Sequence, residues 1–94
     1  MRVTVSEHVY TETVNDETVL LELESGQYYG LDAVGTRLWQ LLTELGSTDA
    51  VEAAAAEEFD VTPADLRRDI ANLVHELADR KLVVVHAASD SATA

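Results

Sequence analysis

The side chains able to do chemistry are few and scattered. His8, His75 and His86 are far apart in sequence, and His75-Glu76 lacks the second histidine of an H-E-x-x-H zinc motif. Ser6, Ser25, Ser47, Ser89 and Ser91 have no glycine two residues to either side, as the G-x-S-x-G of a nucleophile elbow requires. There is no cysteine, hence no disulfide framework, thiolate metal site or cysteine nucleophile. Glu57-Glu58 closes an alanine-rich stretch and reads as a solvated helix face. The four glycines, Gly26, Gly30, Gly35 and Gly46, punctuate the chain and do not form a phosphate-cradling loop. Asp90-Ser91 is followed by Ala92 near the end of the chain, a poor match to the serine that carriers place at a helix start. These residues predict a protein that is not an enzyme and that needs neither metal nor cofactor.

Charge narrows the partner. Eighteen acidic residues face six basic ones in 94 residues, for a formal charge of -12. Phosphate backbones are bound mainly by Lys and Arg, so this balance weighs against nucleic acid. It favours a basic partner such as a cationic peptide, although acidity also keeps a protein soluble or suits a salt-rich cell. No stretch is long and apolar enough to span a membrane. Met1 to Ser6 lacks the basic region and apolar run of a secretory signal, which makes the cytoplasm the default compartment.

Apolar residues are 47% of the chain, enough for the core of one small domain. Val3 to Thr11 reads as a first strand from its β-branched and aromatic types, broken by Asn15-Asp16-Glu17. Thr18 to Leu23 is a second strand, Ser25-Gly26 a turn, and Gln27 to Leu31 a third strand. The period then becomes helical. Asp32 is an N-cap before a helix carrying Val34, Leu38, Trp39, Leu41, Leu42 and Leu45, and Gly46 is its C-cap. Ser47 or Thr48 opens a second helix with Val51, Ala54, Ala55 and Phe59 on its stripe. Thr62-Pro63 opens a third, with Leu66, Ile70, Leu73, Val74 and Leu77 on one face, surrounded by Arg67, Arg68, Asp69, Glu76 and Asp79. Leu82 to Val85 reads as a wing strand or an extended segment on the core. The expected fold is α+β: a winged helix-turn-helix with a three-stranded antiparallel sheet and then three helices. Residues 1–86 form the domain, and 87–94, small and polar, read as a disordered tail.

The hairpin's register follows from keeping charge out of the core. A three-residue loop, Glu24-Ser25-Gly26 with Gly26 left-handed, puts Val19, Leu21 and Leu23 on one face with Tyr29 and Leu31. Leu20, Glu22 and Tyr28 then share the outer face. The winged topology raises DNA binding as an alternative. The third helix and its end carry Arg67, Arg68, Arg80 and Lys81, but also Asp65, Asp69, Glu76 and Asp79, so no basic footprint forms. A peptide-binding module fits better. The third strand is an open edge, and a peptide can add to such an edge through main-chain hydrogen bonds.

The segment Val19-Leu20-Leu21-Glu22-Leu23-Glu24-Ser25-Gly26-Gln27-Tyr28-Tyr29-Gly30-Leu31-Asp32, followed by Gly35, Leu38, Trp39 and Leu42, resembles the PqqD-like family. Within it, the segment looks most like the stand-alone leader-recognition proteins of lasso-peptide biosynthesis. Val51, Ala55, Phe59, Val61, Asp69, Leu73, Leu77 and Lys81-Leu82-Val83 extend the likeness over most of the chain. Asp32 stands where Asn is commoner and Leu38 where Ile is commoner; the first conserves a cap and the second a core residue.

The resemblance implies a recognition element for ribosomally made, post-translationally modified peptides. Such an element binds a precursor's leader region and delivers it to a leader peptidase, a transglutaminase-like cysteine protease, and to an ATP-dependent macrocyclase. It is not itself catalytic. Carried onto this chain, the leader pairs with Gln27, Tyr28, Tyr29, Gly30 and Leu31, beside Leu20, and lies against Leu66, Arg67, Asp69, Ile70, Leu73, Val74 and Leu77. Apolar pockets on the helix would take the aromatic, proline and leucine anchors usual in lasso leaders, and Asp69 would suit a leader Lys or Arg. A PqqD-like chaperone of a radical-SAM pathway is the alternative within the family.

Overall fold

Capping chemistry sets most element boundaries. The computed structural model describes residues 1–86. The expected tail, 87–94, lies outside them. Asp32 Oδ1 accepts the Gly35 N–H at 2.8 Å and starts α1 (Ala33–Leu45), which Gly46 ends in the left-handed region at φ 71. α2 (Thr48–Glu58) follows Ser47 with no side-chain cap. Thr62 Oγ1 accepts the Asp65 N–H at 3.2 Å and, with Pro63 at the first position, starts α3 (Pro63–Asp79).

Five strands accompany the helices among the described residues: β1 (Arg2–Val5), β2 (Val9–Val14), β3 (Glu17–Glu22), β4 (Tyr28–Leu31) and β5 (Val83–His86). β2, β3 and β4 form an antiparallel sheet in that order, which leaves β4 an edge as the sequence predicts. Asn15 and Asp16, at φ 53 and 65, make the two-residue turn between β2 and β3. The architecture is the expected α+β arrangement of a three-stranded sheet followed by three helices.

The expected first strand is in fact two. β1 leaves the three-stranded sheet and pairs with β5, Val3 opposite Val85 and Val5 opposite Val83. The polar Ser6-Glu7 step separates β1 from β2. Ser6 N–H donates to the Leu82 carbonyl at 3.0 Å and Val3 N–H to the Gly46 carbonyl at 3.0 Å, so β1 and the residue after it tie the α1–α2 connection to the turn after α3.

The hairpin register also differs from the expectation. Leu20 pairs with Tyr29 and Thr18 with Leu31, one residue off the predicted pairing. Glu22 N–H bonds the Gln27 carbonyl at 2.8 Å, so the loop is Leu23-Glu24-Ser25-Gly26, with Gly26 at φ 76. Since side chains alternate, this slip exchanges the faces of β3 and leaves Tyr28 outside and Leu31 inside as expected. Thr18, Leu20, Glu22 and Leu31 are buried, while Val19, Leu23 and Tyr28 are exposed. Glu22 tolerates the inner face because its carboxylate turns back over the loop. It accepts the Ser25 N–H at 2.7 Å and the Glu24 N–H at 3.3 Å. Hydrogen bonding from Ser25, its side chain first and then its main chain, holds this carboxyl below the usual carboxylate range.

Leu20, Leu31, Leu38, Trp39, Leu42, Val51, Ala55, Leu66, Ile70, Val74, Leu77 and Leu82 make one core between the sheet and the helices. Arg37 clamps α1 to α2 through two bonds to Glu58, at 2.8 and 2.7 Å. Arg67 does the same between α3 and α2 through Glu52, at 3.0 and 3.2 Å. No helix among the described residues is long and apolar enough to cross a membrane.

Candidate peptide-binding edge

Antiparallel pairing fixes which main-chain groups of β4 are free. Residues exchange hydrogen bonds with their partner strand at every second position. The Glu22–Gln27 bond sets the phase, so Tyr29 and Leu31 turn their N–H and C=O toward β3. Tyr28 and Gly30 turn theirs toward the open edge. A row of unpaired donors and acceptors of this kind is a template for another strand. A Cβ built at Gly30 meets nothing within 4 Å, and its φ is not in the left-handed region. The glycine is therefore not required by the backbone of the free chain.

The other edge, β2, has five exposed residues of six and extends beyond the core as a wing. β4 differs because Tyr29 reaches from it to α3. Its hydroxyl donates to Glu76 Oε2 at 3.1 Å, and the Arg80 guanidinium lies over its ring, 4.8 Å from the centroid. Partial burial, and then the bond to Glu76, raises the Tyr29 hydroxyl above its ordinary pKa and keeps it neutral. Helical spacing places Asp69, Leu73, Glu76 and Arg80 on one stripe. Since Glu76 and Arg80 meet Tyr29, this is the stripe that α3 turns toward β4. Leu73 is its half-buried apolar member, and Asp69 is exposed and lies beside Arg68 at 3.8 Å.

The sequence-predicted residues divide accordingly. Tyr28, Tyr29 and Gly30 are gathered on the edge strand, with Gln27 at its start and Leu31 buried at its end. Leu73 and Asp69 lie on the facing stripe. Leu20, expected on the outer face, is fully buried under the sheet; the register slip is the reason. Leu66, Ile70, Val74 and Leu77 form the core stripe of α3, each at most 3% exposed. Arg67 turns the other way, to Glu52 on α2, and Ile70 shares a cavity with Met1, Thr48 and Ala71 on that side. Glu76 and Arg80 join the candidate site through Tyr29, although in the sequence they read only as surface charge. Their signal was positional: they continue Asp69 and Leu73 at helical spacing.

The histidines stand on separate elements. His8 meets exposed Glu24 at 3.3 Å, and His86 Nε2 lies 3.0 Å from Thr4 Oγ1. No cluster of three metal-ligating side chains occurs among the described residues.

The likeness to solved structures is high over the whole domain. The chain matches a structure described as TbiB1 in complex with the TbiA(beta) leader peptide, with 36% identity and a TM-score of 0.83. The match covers 89% of this chain and 98% of that one. It also matches a lasso peptide synthetase B1 complexed with the leader peptide, at 25% identity and a TM-score of 0.80, over 90% of this chain and 100% of that one. No curated protein matches the sequence at a significant level. Residues 17–83, from the start of β3 to the start of β5, match the model of coenzyme PQQ synthesis protein D (PqqD), and the chain belongs to that family.

Proposed function

We propose that this chain is a leader-peptide-binding adaptor of a pathway that modifies ribosomally made peptides. The observation that carries the reading is the open β4 edge, where Tyr28 and Gly30 turn their main-chain groups outward beside the Asp69–Leu73–Glu76–Arg80 stripe of α3. The leader adds as an antiparallel strand to β4. Main-chain bonds supply affinity for any extended segment, and the stripe supplies side-chain choice. Leu73 offers apolar contact, Asp69 and Glu76 suit a basic residue, and Arg80 suits an acidic one. Both of these solved structures hold a leader peptide, and the one described as a lasso peptide synthetase B1, at 25% identity, favours a lasso-type precursor over another peptide class.

The adaptor reading has the chain working in the cytoplasm, where the precursor is made. It catalyses nothing itself. It presents the leader to a transglutaminase-like leader peptidase and to the ATP-dependent macrocyclase. The test is a fluorescence-anisotropy titration with a labelled leader from the neighbouring precursor gene, with a scrambled leader and a DNA duplex as controls. Saturable binding to the leader alone is expected; binding to the duplex alone overturns the proposal.

A further inference from the structure

Among the described residues, none covers the face of the β2–β3–β4 sheet turned away from the helices. Val14, Val19, Leu23, Tyr10 and Tyr28 are five of the ten large apolar side chains the described residues expose, and half-buried Leu21 lies among them. Directly paired residues share a face, and Tyr10–Leu21, Leu21–Tyr28 and the Val19–Gly30 pair place these side chains together. Their floor is a shallow hollow of about 520 Å³. An apolar patch of this kind marks a contact surface.

Its rim is of one sign. From Glu7 to Asp32 the chain holds seven acids and no Lys or Arg. Glu12 and Glu17 line the hollow itself, and Asp16 and Glu24 stand on the turns at its ends. A second copy of this chain would bring the same carboxylates against each other, on molecules that each carry a formal charge of -12. The chain's own last residues, Ala87 to Ala94, have no large apolar side chain and no base to offer. The fitting occupant is a protein surface that is apolar at its centre and rich in Lys and Arg at its rim.

We infer that this outer face docks the leader peptidase that receives the bound peptide. The inference rests on the adaptor reading. The two surfaces belong to one sheet but point differently: the β4 edge accepts a strand in the plane, and the outer face stands perpendicular to it. Peptide and enzyme are therefore held at once, with Tyr28 at the border of both.

The test uses the intact chain, the purified leader peptidase encoded beside the precursor, and the labelled leader. Val14→Thr/Val19→Thr keeps β-branched shape while making the floor polar, and Glu12→Lys/Glu17→Lys reverses the rim. Each double variant is expected to weaken peptidase binding at least tenfold and leave leader affinity unchanged. The charge reversal also flattens the dependence of peptidase binding on salt. Peptidase binding that is absent in the wild type, or unaltered in both variants, overturns the inference. So does loss of leader affinity in step with peptidase affinity, which makes the face part of the peptide site. A wild-type dimer in sedimentation velocity that the valine variant abolishes overturns it too, assigning the face to a second copy. A wild type that binds the peptidase but not the leader supports the docking face and removes the peptide reading instead.

Discussion

Replacing Gly30 by Pro separates the free chain from the complex. The Gly30 N–H turns away from β3, so proline removes no hydrogen bond of the existing ladder. A Cβ at this position meets nothing within 4 Å, and Tyr29 before it is already extended, as a residue preceding proline prefers. The fold is expected to survive. The peptide is affected differently. Tyr28 and Gly30 offer it one donor and one acceptor each, four main-chain bonds in all, with a net worth of about 1 kcal/mol apiece. Proline deletes one bond outright, and its ring occupies the line of approach of the added strand. The loss lies between about 1 and 4 kcal/mol, or roughly 5- to 1000-fold in Kd. Leader titration by anisotropy reads the affinity, and circular dichroism with urea unfolding confirms that the variant is folded. Gly30→Ala is the control: its Cβ points to the outer face and the N–H remains, so affinity should hold within about twofold. A folded Gly30→Pro that binds the leader like the wild type refutes strand addition at this edge.

Three other substitutions test the placement of side chains. Val74→Asp buries a carboxylate without a partner at a position 1% exposed and should cost more than about 3 kcal/mol in urea unfolding. Leu73→Asp, one residue earlier, should leave the chain folded and weaken leader binding; the reverse pattern would exchange core and groove. Tyr29→Phe removes the bond to Glu76 but keeps the ring beneath Arg80, so stability should fall by about 1 kcal/mol or less, read by urea unfolding. Glu22 adds an acid dependence. Its carboxyl is held below its ordinary value of 4.5, so the stability it contributes is full above that pH and is lost as pH falls through the folded-state pKa. Glu22→Gln should lower the urea midpoint at pH 7 and flatten its decline below pH 4.5; Glu52 and Glu58, also lowered by their arginine partners, preserve part of the slope.

Local chemistry carried most of the fold into the sequence. Asp32, Gly46 and Thr62-Pro63 act on residues a few positions away, and their helix boundaries could be read directly. Two features depended on partners that a local reading does not contain. β1 is defined by β5, about eighty residues later, so Val3 to Thr11 looked like one strand. The hairpin register turned on Glu22. Val19-Leu20-Leu21 is apolar on both faces and gives no alternation, which left the charge as the only guide, and the loop N–H groups satisfy that charge on the inner side. The open β4 edge was legible because strand order followed chain order. The face of α3 was not. Leu66, Ile70, Leu73, Val74 and Leu77 make one broad stripe on a helical wheel, and only the contacts of Tyr29 with Glu76 and Arg80 show which side of it faces β4.

The most direct test of strand addition is an amide hydrogen-exchange measurement on the free chain and on the chain saturated with leader peptide. Tyr28 and Gly30 amides should exchange fast in the free protein and become protected in the complex, while Tyr29 and Leu31, already bonded to β3, change little. Protection appearing instead at Val9, Thr11 and Thr13 on the β2 edge, or at no strand amide, would contradict the account.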